Sequence, residues 1–182
     1  CGVAEQNMTG MAAGLAKQGF MPVTYTIAPF CTTRCLEQIR IDVAYHNAPV
    51  TIVSVGAGLS YAGLGPTHHS FEDIALLRAI PNMRVLSPAD SDELSACLEM
   101  VFETPQPTYI RMGKKGEPDV HNRAVSAQEI LAPIKLSHGE DVCLIGSGTL
   151  LTEVVDAAEL LRKEGVNPSV YSLPLIKPLP KR

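Results

Sequence analysis

The sequence contains no tryptophan, and aromatic residues make up only 5% of its 182 residues. Long apolar runs are also missing, since none approaches the ~18 residues of a membrane-spanning helix. We therefore expect no membrane segment. Hydrophobic residues nevertheless reach 46% and charged residues only 19%. This composition can bury a core and excludes a disordered chain.

Basic residues are outnumbered, with 15 Lys and Arg against 19 Asp and Glu. The only basic cluster is the short run at residues 111–115. Nucleic-acid binding draws most of its affinity from Lys and Arg contacts to phosphate. The charge balance therefore predicts that the protein has no nucleic-acid partner.

The cysteines are odd in number, five in all, and none of them forms a C-x-x-C pair. This pattern favours reduced thiols and a cytoplasmic protein. Cys31 and Cys35 lie one helical turn apart and could meet His68 and His69 at a metal ion. We favour buried thiols instead, because free cysteine packs as a small hydrophobic residue.

Strand-like and helix-like segments alternate along the chain. Runs rich in Val, Ile, Tyr and Thr predict strands at 22–27, 49–55, 83–88 and 107–112. Helices are predicted at 5–18, 32–46, 70–79 and 91–103. In the second helix Leu36, Ile39 and Val43 form one apolar stripe, and Ser70 is placed to cap the third. The pattern predicts an α/β fold with a doubly wound, mostly parallel sheet.

The second part of the sequence changes in character. Residues 1–113 form the first predicted domain, and residues 114–140 are polar, without a period, and are typical of a linker with room for one short strand. Residues 141–182 contain strand, glycine turn, helix and strand, and we expect the beginning of a second α/β domain there. The sequence starts without methionine and directly in a helical pattern. We therefore expect a fragment or a trimmed chain.

Four features are candidates for chemistry. The stretch "GLGPTHHSFED" at 63–73 places His68 and His69 after a glycine-proline turn, as ligands, catalysts or scaffold. Glu5 near a helix start either interacts with the helix dipole or meets a protonated ring nitrogen of a ligand. Arg111 at a strand end is either a phosphate clamp or a solvated arginine. "GSGTLL" at 146–151 could hold a phosphate, but a plain tight turn is favoured because the third glycine is missing.

Several stretches, in order, resemble the pyrimidine-binding part of the transketolase family, which uses thiamine diphosphate. They are "GVAEQNMTGMAAGLA", "GFMPVTYTIAPF", "EQIRIDVAY", "GLGPTHHSFEDIALLRAIPNMRVLSPAD" and "PTYIRMG". The segment 141–173 with "IKPLP" resembles the start of the family's C-terminal domain. The small subunits of split transketolases are the most similar. Deoxyxylulose phosphate synthases and the β subunits of 2-oxo acid dehydrogenases share the layout but match the histidine loop less well.

The resemblance implies roles for individual residues. Glu5 would be catalytic and cofactor-binding, through a hydrogen bond to N1′ of the aminopyrimidine ring. Phe30 would stack on that ring, with Cys31 as the alternative alignment. His68 would be catalytic, contact the substrate hydroxyls and move protons. Arg111 would bind the sugar phosphate substrate.

Two positions depart from the family pattern. Leu64 stands where transketolases usually carry an aspartate, and Gly56 stands where many carry a histidine. Because both family residues contact substrate, their replacement implies a different donor preference. His69 is expected only as a neighbour at the start of the following helix.

The family's diphosphate and magnesium motif, Gly-Asp-Gly, does not occur in the sequence. We therefore expect a partner, the large subunit or N-terminal half, to hold the diphosphate and Mg²⁺ in a homodimer or heterotetramer. The implied reaction is transfer of a two-carbon ketol unit between sugar phosphates, only in the assembled enzyme. The alternatives are a pyruvate condensation like that of deoxyxylulose phosphate synthase, and a noncatalytic partner or scaffold. The presence of Glu5 and His68 argues against the noncatalytic alternative.

Overall fold

A computed structural model describes residues 2–180, so that Cys1 and residues 181–182 lie outside it. The strands are β1 Val23–Ile27, β2 Thr51–Val55, β3 Arg84–Leu86, β4 Thr108–Arg111, β5 Ile134–Ser137, β6 Val142–Gly146, β7 Pro168–Ser172 and β8 Leu175–Lys177. The helices are α1 Glu5–Lys17, α2 Ala28–Cys31, α3 Leu36–Gln38, α4 Asp73–Ala79, α5 Ser91–Glu103 and α6 Leu151–Lys163. A π-helical segment spans Ile39–Tyr45, and short 3-10 turns lie at Thr33–Cys35, Ala62–Leu64, Glu129–Leu131 and Gly148–Leu150.

The main sheet has five strands in the order β1-β2-β4-β3-β8. The first four are parallel, and β8 pairs antiparallel with β3. A smaller sheet has the order β5-β7-β6, in which β6 and β7 are parallel and α6 is the crossover between them. This architecture confirms the predicted α/β class with a mostly parallel sheet.

Helices cover both faces of the main sheet, as the nearly continuous apolar strands predict. On one face Ile52, Val85 and Tyr109 join a core formed with α1, α4 and the segment between α2 and Tyr45. On the other face Val53, Leu86 and Ile110 pack against α5 and residues 125–134. Because β1, β2, β4 and β3 run parallel, their carboxyl ends lie at the same edge of the sheet.

Two predicted helices differ from expectation. The helix expected over 32–46 forms instead as a 3-10 turn, α3 and the π-helical segment in succession, and Thr32 ahead of them leaves helical geometry while its hydroxyl donates to the Ala28 carbonyl at 2.6 Å. The apolar stripe persists, and Ile39 and Val43 are fully buried. Ser70 is not a cap: its backbone pairs with Gly58 in both directions, and α4 begins only at Asp73.

The polar segment that precedes β5 packs along α5. Val125, Ala127 and Ile130 are buried in its core, and the expected short strand is β5. His121 is buried as well, with Nε2 2.8 Å from Glu93 Oε1. Within residues 2–180, no helix has both the length and the apolar content to cross a membrane.

Candidate active site

Glu5 opens α1, and its carboxylate is held by two donors. Arg34 Nη1 donates to Glu5 Oε2 at 2.8 Å, and the glutamate side chain is only 11% exposed. The pKa of Glu5 lies below its ordinary value of 4.5, first because its own backbone N–H donates to the carboxylate and then because of Arg34. The carboxylate is therefore ionised at neutral pH and available as a hydrogen-bond acceptor.

Phe30 lies in α2, which follows β1 without a loop and has proline in its first turn. Its ring lies under Arg34, whose Cζ is 4.1 Å from the ring centroid. Arg34 thus contacts both Glu5 and Phe30, although no sequence pattern singles it out. Cys31 is 1% exposed, and burial raises the pKa of its thiol. Of the two alternative positions, Phe30 is the one whose side chain contacts Arg34 and His68.

His68 follows the glycine-proline turn and packs against Phe30. The ring centroids lie 5.2 Å apart, and Nδ1 is 2.9 Å from the Thr67 hydroxyl. His69 turns elsewhere, with Nε2 3.3 Å from the Ala62 carbonyl. The two histidines therefore separate, and no group of three His, Cys, Asp or Glu side chains within residues 2–180 could hold a metal ion.

Arg111, at the end of β4, is held by an aspartate that the sequence pattern connects only with a helix start. Its Nε donates to Asp73 Oδ2 at 2.8 Å, and its Nη2 donates to the Ser70 carbonyl at 3.3 Å. Asp73 is 1% exposed. The sequence does show Asp73, in "SFED", but interpreting this stretch as a helix cap assigns Asp73 no role toward Arg111.

The two departures from the family pattern have different surroundings. Leu64 ends an exposed 3-10 turn, with 57% of its surface accessible. Gly56 has φ +86°, and the Tyr61 ring occupies the place that a Cβ would take. A side chain at Gly56 would strain the backbone and collide with Tyr61, so a polar group at that position would cost stability.

The stretch "GSGTLL" after β6 forms a tight turn, as favoured over a phosphate-binding loop. The Gly148 N–H donates to the Ser87 carbonyl at 3.0 Å, and its φ is +59°. A Cβ at Gly148 would lie 2.5 Å from Ser87 Oγ. This close approach between the turn and the main sheet explains the glycine without a phosphate.

Comparison with known proteins identifies the family of the chain. Residues 1–117 match the family described as "Transketolase, pyrimidine binding domain". The chain belongs to the transketolase family. Residues 132–182 match a second region of transketolases, "Transketolase, C-terminal domain". The family predicted from the Glu5 and His68 motifs is confirmed.

Curated transketolase relatives are similar over nearly the whole chain. An apulose-4-phosphate transketolase subunit from Phocaeicola vulgatus is 34% identical over 179 residues, which are 98% of this chain and 57% of that protein. A 6-deoxy-6-sulfo-D-fructose transketolase subunit from a Clostridium species is 34% identical over 97% of this chain and 55% of that protein. The 1-deoxy-D-xylulose-5-phosphate synthase of Natranaerobius thermophilus is 36% identical over 98% of this chain and 28% of that enzyme. The chain therefore spans little more than half of the transketolase subunits that it matches.

Solved transketolases share the fold. A structure described as a split gene transketolase, inactive beta4 tetramer, has a TM-score of 0.86 and 34% identity, with 98% of this chain and 57% of that chain covered. A transketolase from Pichia stipitis in complex with sedoheptulose 7-phosphate has a TM-score of 0.86 at 25% identity, covering 94% of this chain and 26% of that chain. The region that matches the pyrimidine-binding family model, residues 1–117, includes Glu5, Phe30, His68 and Arg111.

Proposed function

We propose that this chain supplies the aminopyrimidine side of a thiamine diphosphate site in a split transketolase-type enzyme. The observation that carries the proposal is the juxtaposition of Glu5, Phe30 and His68. It combines an ionised, largely buried carboxylate with an aromatic face and a histidine packed against that face. No two of these residues are neighbours in the sequence, and only the fold brings them together.

The residues present fit the chemistry of the cofactor's ring, since a carboxylate and an aromatic face both lie against Arg34. A cleft of about 210 Å³ lies against Glu5 and is lined also by Gly2, Ala4, Met8, Tyr25 and Thr26, and Phe30 lies outside this lining. Thiamine diphosphate, when bound, supplies the carbon nucleophile and the electron sink for breaking a bond next to a carbonyl group. Glu5 would hold a proton at the ring nitrogen N1′, and Phe30 would stack on the ring. Arg34 already makes these two kinds of contact, with Glu5 Oε2 and with the Phe30 ring, so it would compete with the cofactor ring for them.

The substrate would be contacted by His68 and Arg111. His68 is within the loop that closes over Phe30, where it can donate to or accept from a substrate hydroxyl. Arg111 keeps Nη1 free of hydrogen bonds to the residues described, which leaves this nitrogen for a phosphate oxygen. The exposed apolar Leu64 would offer no hydrogen bond to a hydroxyl at its position. We therefore propose a ketose donor that differs there from the usual pentose phosphate.

A second polypeptide, or residues outside this sequence, would hold the diphosphate and Mg²⁺. The supporting observations are the lack of Gly-Asp-Gly in the sequence and an exposed apolar surface around α1. Large apolar side chains at least 46% exposed there are Val3, Met11, Leu15, Phe20 and Met21. Apolar patches of this kind mark protein interfaces. A homodimer or heterotetramer built around this surface would complete two equivalent sites.

The second candidate function is a condensation of pyruvate with an aldose phosphate. It is favoured by the 36% identity to a 1-deoxy-D-xylulose-5-phosphate synthase. That reaction needs the same Glu5, so this residue does not discriminate between the two. A noncatalytic scaffold is the remaining alternative.

The test combines the chain with a diphosphate-binding transketolase large subunit, thiamine diphosphate and Mg²⁺. We expect two-carbon transfer from a ketose phosphate to an aldose, and no reaction of either polypeptide alone. Product formation from pyruvate instead would support the second candidate, and no reaction with either substrate set would support the scaffold.

Replacing Glu5 by Gln in this assembly should lower kcat by at least about 100-fold, since general acid–base groups contribute that much. Glu37→Gln, which removes an exposed carboxylate on α3, is the matched control and should leave kcat unchanged. Normal turnover of the Glu5 variant with bound cofactor would disprove the assignment.

A further inference from the structure

Asp73 is a buried carboxylate at the centre of a chain of hydrogen bonds. Its Oδ2 accepts from the Tyr109 hydroxyl at 2.7 Å and from Arg111 Nε at 2.8 Å. The Tyr109 oxygen lies 2.7 Å from Ser54 Oγ, so the chain reaches from α4 across β4 to β2. Burial raises the pKa of Tyr109 well above its ordinary value, and the phenol therefore stays a neutral donor.

This arrangement is a poor way to stabilise a core. Asp73 Oδ1 is buried and has no hydrogen-bond partner among residues 2–180. A buried ion pair commonly stabilises a fold less than well-packed apolar side chains of the same volume. Stability alone is therefore a weak reason for an aspartate at this position, and the geometry that it imposes on Arg111 is a better one.

Arg111 also contacts the base of the loop that carries His68. Its Nη2 donates to the Ser70 carbonyl, and Ser70 is paired by its backbone with Gly58 at 2.9 and 3.0 Å. The pair Gly58–Ser70 is the neck of the loop 59–69, and His68 lies in this loop two residues before Ser70. Asp73 thus holds the neck through a single side chain, that of Arg111.

We propose that Asp73 is a positioning residue that, through Arg111, sets the neck of the loop 59–69 and so holds His68 against Phe30. The inference deepens the proposed function, because it rests on His68 and Arg111 being the substrate contacts. With the charge of Asp73 removed, Arg111 turns into solvent and the Ser70 carbonyl loses its donor. The loop then samples other orientations while the sheet beneath it stays folded.

The experiment compares Asp73→Asn, Arg111→Gln and the double variant in the whole chain, without partner or cofactor. Hydrogen exchange is measured for residues 58–72, and the His68 ring signals are measured by NMR. In both single variants we expect exchange in 58–72 to be about tenfold faster, as for a local opening, with α5 unchanged. The His68 signals should lose the shift that the Phe30 ring imposes. Arg78→Gln, which removes an exposed charge on α4 outside the measured segment, is the matched control and should leave both readouts unchanged.

The double variant separates the loss of loop positioning from the effect of leaving one buried charge unpaired. It also keeps the test decisive if a single variant folds poorly. Because it leaves no unpaired buried charge, its stability should return toward that of the original chain. Fast exchange in 58–72 and displaced His68 signals should nevertheless persist. Recovery of both readouts together with stability would overturn the proposal, as would unaltered His68 signals in Asp73→Asn. An assembled enzyme without transfer activity would refute the proposed function but leave these readouts decisive.

Discussion

The buried pair of His121 and Glu93 offers a sharp test of how the polar segment before β5 is anchored. Side-chain exposures are 3% for His121 and 0% for Glu93, and their nitrogen and oxygen lie 2.8 Å apart. Replacing His121 by Leu would leave the Glu93 carboxylate buried without its partner. Its other oxygen would keep only the Ala89 N–H, at 2.7 Å.

The expected magnitude follows from this burial. Removing one partner of a buried pair costs about 3–5 kcal/mol, and the remaining Ala89 bond places this case at about 3 kcal/mol, the lower end. The matched control is Arg123→Gln, which breaks an ion pair with Glu129 whose side chains are 52% and 36% exposed. Because solvent screens that pair, the control should change the unfolding free energy little.

The pH dependence has a definite sign. The hydrogen bond to Glu93 raises the pKa of His121 above its ordinary value of 6.5, against the opposing effect of burial. A raised pKa contributes stability that is complete below about pH 6.5 and is lost as the pH rises through the folded-state value. Backbone N–H donors from Glu93, His121 and Val120, against burial, lower the pKa of Asp90 below 3.8, so its contribution is lost at acid pH. Stability from this cluster should therefore be greatest between about pH 4 and 6.5.

Urea unfolding followed by far-UV circular dichroism at about pH 5, 7 and 9 measures both effects, since the sequence has no tryptophan to report. The difference between the original chain and His121→Leu should be largest at the lowest of these pH values and smallest at the highest. A cost no greater than that of Arg123→Gln, or a cost independent of pH, would refute the reasoning.

Two further predictions concern the candidate site. Replacing Arg34 by Ala should raise the pKa of Glu5 but not restore it fully to 4.5, because the backbone donor remains. A ¹³C NMR titration of the Glu5 carboxyl measures this pKa. An unaltered pKa would contradict the ion pair between Arg34 and Glu5. Replacing Gly56 by Ser should destabilise the chain by about 2 kcal/mol or more, from its positive φ and the Tyr61 collision. Gly63→Ser, where no atom lies within 4 Å of a Cβ, is the control in thermal unfolding.

Local pattern was sufficient for most of the fold. Alternating strand and helix segments predicted the parallel sheet, because buried parallel strands need apolar residues on both faces. Helix starts were less predictable, since Ser70 has the composition of a cap but its backbone is used in the pairing with Gly58. The segment before β5 shows the same limit. Because its hydrophobic residues follow no helical or strand period, the sequence does not indicate which of them are buried against α5.

By itself, the sequence determined the fold class and, through the motifs around Glu5 and His68, the family. Each of those motifs is a contiguous stretch of sequence, so it can be recognised without the structure. The tertiary structure alone decided which charges meet: Arg34 with Glu5, Arg111 with Asp73, and His121 with Glu93. The partners lie 29, 38 and 28 positions apart. Since no sequence period relates residues at such separations, only the packing of helices onto the sheet could bring them together.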